Sequence, residues 1–148
     1  MSLDFHILLI EDSRADAQIV ARALTEENLP HRLTVIHDGR HALEYLARIE
    51  TRDVPEGHVP DLVLLDLNLP GLDGCQILSQ IKANPVLKVL PVVIFTTSRR
   101  DEDVLQTYSA GANSYVQKPA EYRDFRALMT TLYRYWHEAS VSPPASGR

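Results

Sequence analysis

Five short apolar runs, continuous rather than alternating, constrain this chain most: residues 5–10, 33–36, 62–65, 92–95 and 114–116. A strand with one wet face alternates apolar and polar residues, whereas a strand buried on both faces reads as an unbroken hydrophobic stretch. Segments of helical period separate the runs, with Ile19 and Leu24 after the first, Ala42, Leu43, Leu46 and Ile49 after the second, and Ile77, Leu78 and Ile81 after the third. The last segment carries Phe125, Leu128, Met129, Leu132 and Trp136 on one stripe. The pattern is a strand followed by a helix, repeated five times, which predicts an α/β protein with a parallel sheet covered on both faces.

Local signals agree with this division. Ser13 is positioned to cap the first helix, Asp38-Gly39 marks the turn into the second, and Asp101 is expected to cap the fourth. Residues 50–60, with Pro55, Gly57 and Pro60, read as a long loop. A length of 148 residues suits one domain, expected over 1–138, with 139–148 as a disordered tail on its Ser-Pro-Pro-Ala-Ser-Gly composition. Fifteen Lys and Arg against twenty Asp and Glu leave a net charge of −5, which disfavours direct nucleic-acid binding. A single cysteine, Cys75, forms no internal disulfide, and no apolar run approaches the roughly 20 residues that cross a bilayer. The expectation is a cytoplasmic protein without membrane contact.

In an open α/β sheet the ligand site lies beyond the carboxyl ends of the strands. Those ends are chemically loaded. The first run ends in Glu11-Asp12, the third in Asp66, the fourth in Thr96-Thr97-Ser98, and the fifth leads into Lys118-Pro119. Any one of these residues has a plain structural use as a cap or turn, but three acids at one edge raise each other's pKa unless a cation compensates them. Oxygen donors of this kind suit a hard ion, Mg²⁺ above all, with Mn²⁺ as a substitute. A carboxylate beside such an ion, a lysine and a hydroxyl is also a phosphoryl acceptor. Asp66 is then the nucleophile and a metal ligand with Glu11 and Asp12. The backbone carbonyl of Asn68 supplies one further ligand. Lys118 pairs with the phosphoryl oxygens, and Thr96 donates a hydrogen bond to the same group.

Taken together, Glu11-Asp12, the segment from Asp66 to Gly74, Thr96, Ala110-Gly111-Ala112 and Lys118-Pro119 resemble the receiver domains of two-component response regulators, the CheY-like family, over residues 5–137. The resemblance implies a flavodoxin-like fold, a five-stranded parallel sheet of order 2-1-3-4-5 with five helices on its two faces. It implies phosphorylation of Asp66 by a partner histidine kinase in a phosphorelay, and no enzymatic activity beyond that self-modification and its reversal. It also implies a switch, in which Thr96 moves toward the phosphoryl group and Tyr115 turns inward to remodel the face of the fourth helix, fifth strand and fifth helix. A cis peptide between Lys118 and Pro119 is implied as the device that points the lysine into the site.

Two departures from the family pattern stand out. Thr97 occupies a position where a smaller residue is usual, and Cys75-Gln76 replaces a frequent aromatic or aliphatic residue followed by Glu. The long loop, the Thr96-Thr97-Ser98 triplet and Tyr133-Arg134-Tyr135-Trp136 resemble the stand-alone receivers that pair with bacterial phytochromes. That subgroup implies a homodimer through the switch face and the C-terminal segment, with Tyr135 and Trp136 contributing. A downstream protein or a relay partner takes the output. Competing readings are an aspartyl-phosphate phosphatase of the haloacid-dehalogenase type, an intermediate phosphate-shuttling module, and a flavodoxin-type cofactor binder. The phosphatase reading is opposed by Asn68 where that class has a second acid. The cofactor reading is opposed by Glu11-Asp12-Ser13-Arg14 where a phosphate cradle belongs, and a P-loop motif is absent. His37 and His41, although four apart, flank a turn and are not read as a metal pair.

Overall fold

The computed structural model describes residues 4–55 and 58–144. In chain order the elements are β1 (Phe5–Ile10), α1 (Arg14–Glu26), β2 (His31–Ile36), α2 (Gly39–Glu50), β3 (Leu62–Leu65), α3 (Gly74–Ala83), β4 (Val92–Thr96), α4 (Asp101–Ser109), β5 (Ser114–Gln117) and α5 (Tyr122–Tyr133). A single 3₁₀ turn (Leu87–Val89) precedes β4, and a π-helical turn (Arg134–Ala139) extends α5. The strands form one parallel sheet, as the apolar runs predict, in the order β2-β1-β3-β4-β5 that the resemblance implies.

The unbroken apolar runs have a simple cause. Successive side chains of a strand point to opposite faces, and here both faces are dry. Phe5, Ile7 and Leu9 of β1 join Val20, Leu24, Phe95, Phe125 and Met129 in one core layer, beneath α1 and α5. Leu8 and Ile10 join Leu46, Ile49, Ile77, Ile81 and Ile94 in the other, beneath α2 and α3. All six residues of β1 are buried.

Caps place the helix starts. The Ser13 hydroxyl accepts from the Asp16 N–H at 3.1 Å, and the Asp38 carboxylate accepts from the His41 N–H at 2.8 Å. Asp73 and Gln76 form a reciprocal capping box at the start of α3, so the Gln that departs from the family pattern retains a capping function. The expectation for Asp101 is corrected. It is the first residue of α4 itself, Arg100 precedes the helix without a side-chain cap, and Asp101, Glu102 and Asp103 instead oppose the positive end of the helix dipole. Helix α5 also stops at Tyr133, earlier than the stripe predicts. Trp136 lies on the π-helical turn, half-buried against the α1/α5 layer.

The predicted loop spans the descent from α2 to β3 and is anchored by the Tyr45 hydroxyl, which donates to the His58 carbonyl at 2.9 Å. Its Gly57, and residues 145–148 of the predicted tail, lie outside the described residues. Among the described residues no helix is long and apolar enough to cross a membrane.

Candidate functional site

Parallel register brings the chemistry together. Ile10 of β1 pairs with Leu65 of β3, Leu65 with Ile94 of β4, and Thr96 of β4 with Gln117 of β5. The residues that follow these positions therefore emerge at one edge, at the point where the chain's crossovers change direction between β1 and β3. The Asp66 N–H donates to the Ile10 carbonyl at 3.0 Å and the Lys118 N–H to the Thr96 carbonyl at 2.7 Å. Each functional side chain thus leaves from a backbone fixed by the sheet ladder.

Glu11, Asp12 and Asp66 offer carboxylate oxygens that all lie within 4.8 Å of one another, Glu11 and Asp66 buried and Asp12 exposed. The Lys118 ammonium, itself buried, lies 2.5 Å from Glu11 Oε1, 2.9 Å from Asp16 Oδ2 and 3.1 Å from Asp66 Oδ2. The contact with Glu11 Oε1 is an ion contact without hydrogen-bond geometry, and that oxygen has no hydrogen-bond partner. Its sibling Oε2 accepts from the Ser13 N–H at 3.1 Å. Asp66 Oδ1 accepts from the Asn68 N–H at 3.3 Å, closing a tight turn after β3. Thr96 Oγ1 is buried with no hydrogen-bond partner.

The electrostatics follow from crowding. Burial raises Glu11, and the neighbouring Asp66 carboxylate adds to it against the pull of Lys118, so that its pKa is pushed up to about 8. For Lys118, burial alone favours the neutral amine, but the close carboxylates of Asp16, Glu11 and Asp66 outweigh it and hold the ammonium above its usual range. Three carboxylates around one ammonium, with Asp12 close to two of them, leave excess negative charge that a divalent cation is suited to offset. The donor set, all oxygen and partly exposed through Asp12, fits a hard ion.

Backbone packing holds Asp66 in place. A Cβ added at Gly74 would run into the Asp66 carbonyl oxygen and stand 2.8 Å from Leu67 Cα, so α3 begins in direct backbone contact with the end of β3. The Gly74 N–H donates to the Leu67 carbonyl at 3.0 Å. Only glycine permits this approach.

One expectation needs correction. The peptide bond between Lys118 and Pro119 is trans, as are all peptide bonds among the described residues. Lys118 reaches the acids because it continues the β5 ladder past Thr96, and no backbone inversion is needed. Cys75 sits at a helix start, where thiols are often acidified, but burial and the nearby Asp73 and Asp103 push its thiol up instead. Tyr115 is half-buried, and its hydroxyl donates to the Ser98 carbonyl at 2.9 Å. His37 bonds the Glu11 carbonyl through Nδ1 at 2.9 Å and His41 pairs with Asp38, which leaves them in separate roles.

Sequence reasoning misses Asp16. Its signal is the spacing from Ser13: a carboxylate at the third helical position after the cap leans back over the strand end from which the helix departs.

Comparison with known proteins agrees with the geometry. The family model "Response regulator receiver domain" matches residues 7–130. The chain is 38% identical to the response regulator Rcp1 of Synechocystis sp., covering 94% of this chain and 93% of that one. A probable methanogenesis regulatory protein, FilR2 of Methanothrix harundinacea, is 39% identical over 94% of this chain and 88% of its own length. Among solved structures, the phosphorylated cyanobacterial phytochrome response regulator RcpA superposes with a TM-score of 0.84 at 32% identity, covering 97% of this chain and all of that one. The Mn²⁺-bound form of Rcp1 does so with a TM-score of 0.82 at 37% identity, over 94% and 99% of the two chains. These matches favour the receiver reading over the phosphatase and cofactor-binding alternatives. With its sheet order, its acid–lysine cluster and these relatives in agreement, the chain belongs to the response regulator receiver domain family.

Proposed function

We propose that this receiver domain accepts a phosphoryl group on Asp66 from a histidine kinase, with Mg²⁺ held by Glu11, Asp12, Asp66 and the Asn68 carbonyl. The single observation that carries the reading is the pairing of Asp66 with a buried lysine at 3.1 Å beside two further acids, with a buried Thr96 hydroxyl that has no partner at the end of β4. An unsatisfied buried hydroxyl is costly, and it is accounted for if an acceptor oxygen arrives there.

A carboxylate oxygen of Asp66 attacks phosphorus in line. The P–O bond forms as the P–N bond to the kinase imidazole breaks, and the departing imidazole keeps the bonding electron pair and takes up a proton. Lys118 meets one phosphoryl oxygen as a point charge, and Thr96 donates to another. When bound, Mg²⁺ supplies charge neutralisation to the transferring group. The movement of Thr96 then biases the segment 97–100 and Tyr115, and through them α4, β5 and α5, a two-state packing change driven by local charge.

The kinship with a phytochrome response regulator supports a bacterial phytochrome as the kinase. Exposed Leu105, Tyr108 and Tyr135 support a second copy of the chain or a downstream protein on the α4-β5-α5 face and the C-terminal turn. Intact mass after incubation with acetyl phosphate and Mg²⁺ tests the core of the reading. The expected gain is about 80 Da, one phosphoryl group, absent with EDTA and absent in Asp66→Asn. An adduct that persists in Asp66→Asn sinks it.

A further inference from the structure

The Lys118 ammonium has three N–H donors and three carboxylates around it, and these three partners are not equivalent. Glu11 and Asp66 belong to the group of oxygens that suits a cation, and Asp66 is the proposed acceptor. Asp16 belongs to neither. It enters from the first turn of α1, where its own N–H is fixed on the Ser13 hydroxyl, and its side chain is 30% exposed at the mouth of the site. Its Oδ2 accepts from Lys118 Nζ at 2.9 Å, shorter than the 3.1 Å bond from the same nitrogen to Asp66.

We propose that Asp16 is a positioning residue for Lys118. It holds one donor of the ammonium at the α1 side, so that Glu11 and Asp66 can be given over to a divalent cation while the lysine stays within reach of a phosphoryl oxygen. Without Asp16 the third donor has no carboxylate outside the cation group. The ammonium then settles further onto Glu11 and Asp66 and competes for the oxygens that the cation needs. The inference rests on the assignment of Asp66 as phosphoacceptor.

A double-mutant cycle on the full chain tests it, with Mn²⁺ alone as the probe and calorimetry as the readout. Asp16→Asn should weaken Mn²⁺ about fivefold in the wild-type background and less than about twofold in Lys118→Met, because the effect passes through the lysine. Asp16→Ala, which removes the carboxylate without supplying an amide, should give the same coupling. The initial rate of acetyl phosphate labelling should fall in parallel in Asp16→Asn. Equal weakening in both backgrounds means that Asp16 acts on the ion as a plain charge, and overturns the proposal. So does an unchanged Mn²⁺ affinity. If wild type binds Mn²⁺ but gains no phosphoryl mass, the phosphoacceptor reading fails, an outcome distinct from a cycle that shows no coupling.

Discussion

The sheet has two unequal halves. Around β1 every strand residue is buried, α1 contributes Ala17, Val20, Ala23 and Leu24 to the core, and α5 contributes Phe125, Met129, Leu132 and Tyr133. At the opposite edge no residue of β5 is fully buried, and α4 buries Thr107 alone while Leu105 stands 70% exposed. Glu11, Asp12 and Asp66 are anchored on or beside the dense half, Lys118 reaches them from the end of β5, and α4 and β5, the first elements proposed to respond, form the sparse half. The difference teaches how a charge change in one place can alter packing in another. Catalytic geometry needs backbone that does not yield, whereas a switch needs an element whose alternatives differ by little free energy.

The largest test of this contrast is Gly74→Ala. The added Cβ meets the Asp66 carbonyl and stands 2.8 Å from Leu67 Cα, so α3 or the end of β3 must shift as a unit. We expect a loss of about 3 kcal/mol in urea unfolding, together with slower labelling of Asp66. Leu105→Ala on α4 should change stability by less than about 0.5 kcal/mol by the same measurement. Comparable losses at the two positions would break the distinction between the halves.

Next in size is a pH dependence confined to the dense half. The pKa of Glu11 is raised on folding from its ordinary carboxylate range to about 8, so between these values the folded chain binds more protons than the unfolded chain. Stability of the metal-free protein should therefore fall as pH rises from about 5 to 8, by up to a few kcal/mol. Lys118, raised above its usual range, contributes in a separate window at higher pH, where its stabilisation is lost. Saturating Mg²⁺ should flatten the slope between pH 5 and 8, because a cation bound to the carboxylates takes the place of the proton. Urea melts at several pH values, with Mg²⁺ and with EDTA, check both halves of the prediction. A slope of unchanged size in Mg²⁺ would remove Glu11 from the metal set.

How much of the molecule is legible in the chain follows the same division. Strands buried on both faces announce themselves as continuous apolar runs, and the ends of those runs carry Glu11, Asp12, Asp66, Thr96 and Lys118 to one edge of the sheet by position alone. Asp16 is not legible in that way, because its role depends on a helix start meeting a lysine side chain 102 residues away. The edge elements are also harder to read. β2 begins at His31 and β5 runs on to Gln117, and in both cases the extra residues are polar or half-exposed, so hydrophobicity alone does not mark them. Asp101 resembles a cap because its residue type is right. Its place is decided instead by Ser98, whose hydroxyl accepts from the Arg100 N–H at 3.2 Å and donates to Asp103 at 2.6 Å.

A small effect in global stability sharpens the comparison most. Tyr115 links the sparse half to the site's rim: its hydroxyl donates to Ser98 and its N–H donates to the Tyr108 hydroxyl on α4 at 3.2 Å. Burial, with Asp103 and Asp66 nearby, raises the phenol above its ordinary value despite the bond to Ser98, so it remains a donor through the neutral range. Tyr115→Phe removes one neutral, half-buried hydrogen bond, which contributes about 1 kcal/mol or less. If α4 and residues 97–100 open as a local unit, that loss appears there in full, and their amides should exchange about fivefold faster. Amides of β1, which exchange only when the whole domain opens, should keep a larger opening free energy than those of α4 in both proteins. Hydrogen exchange followed residue by residue separates these outcomes. An opening free energy of the α4 amides as large as that of β1 would mean that the two halves open together, and the coupling from Asp66 to the α4 face would then have to be carried by the entire sheet.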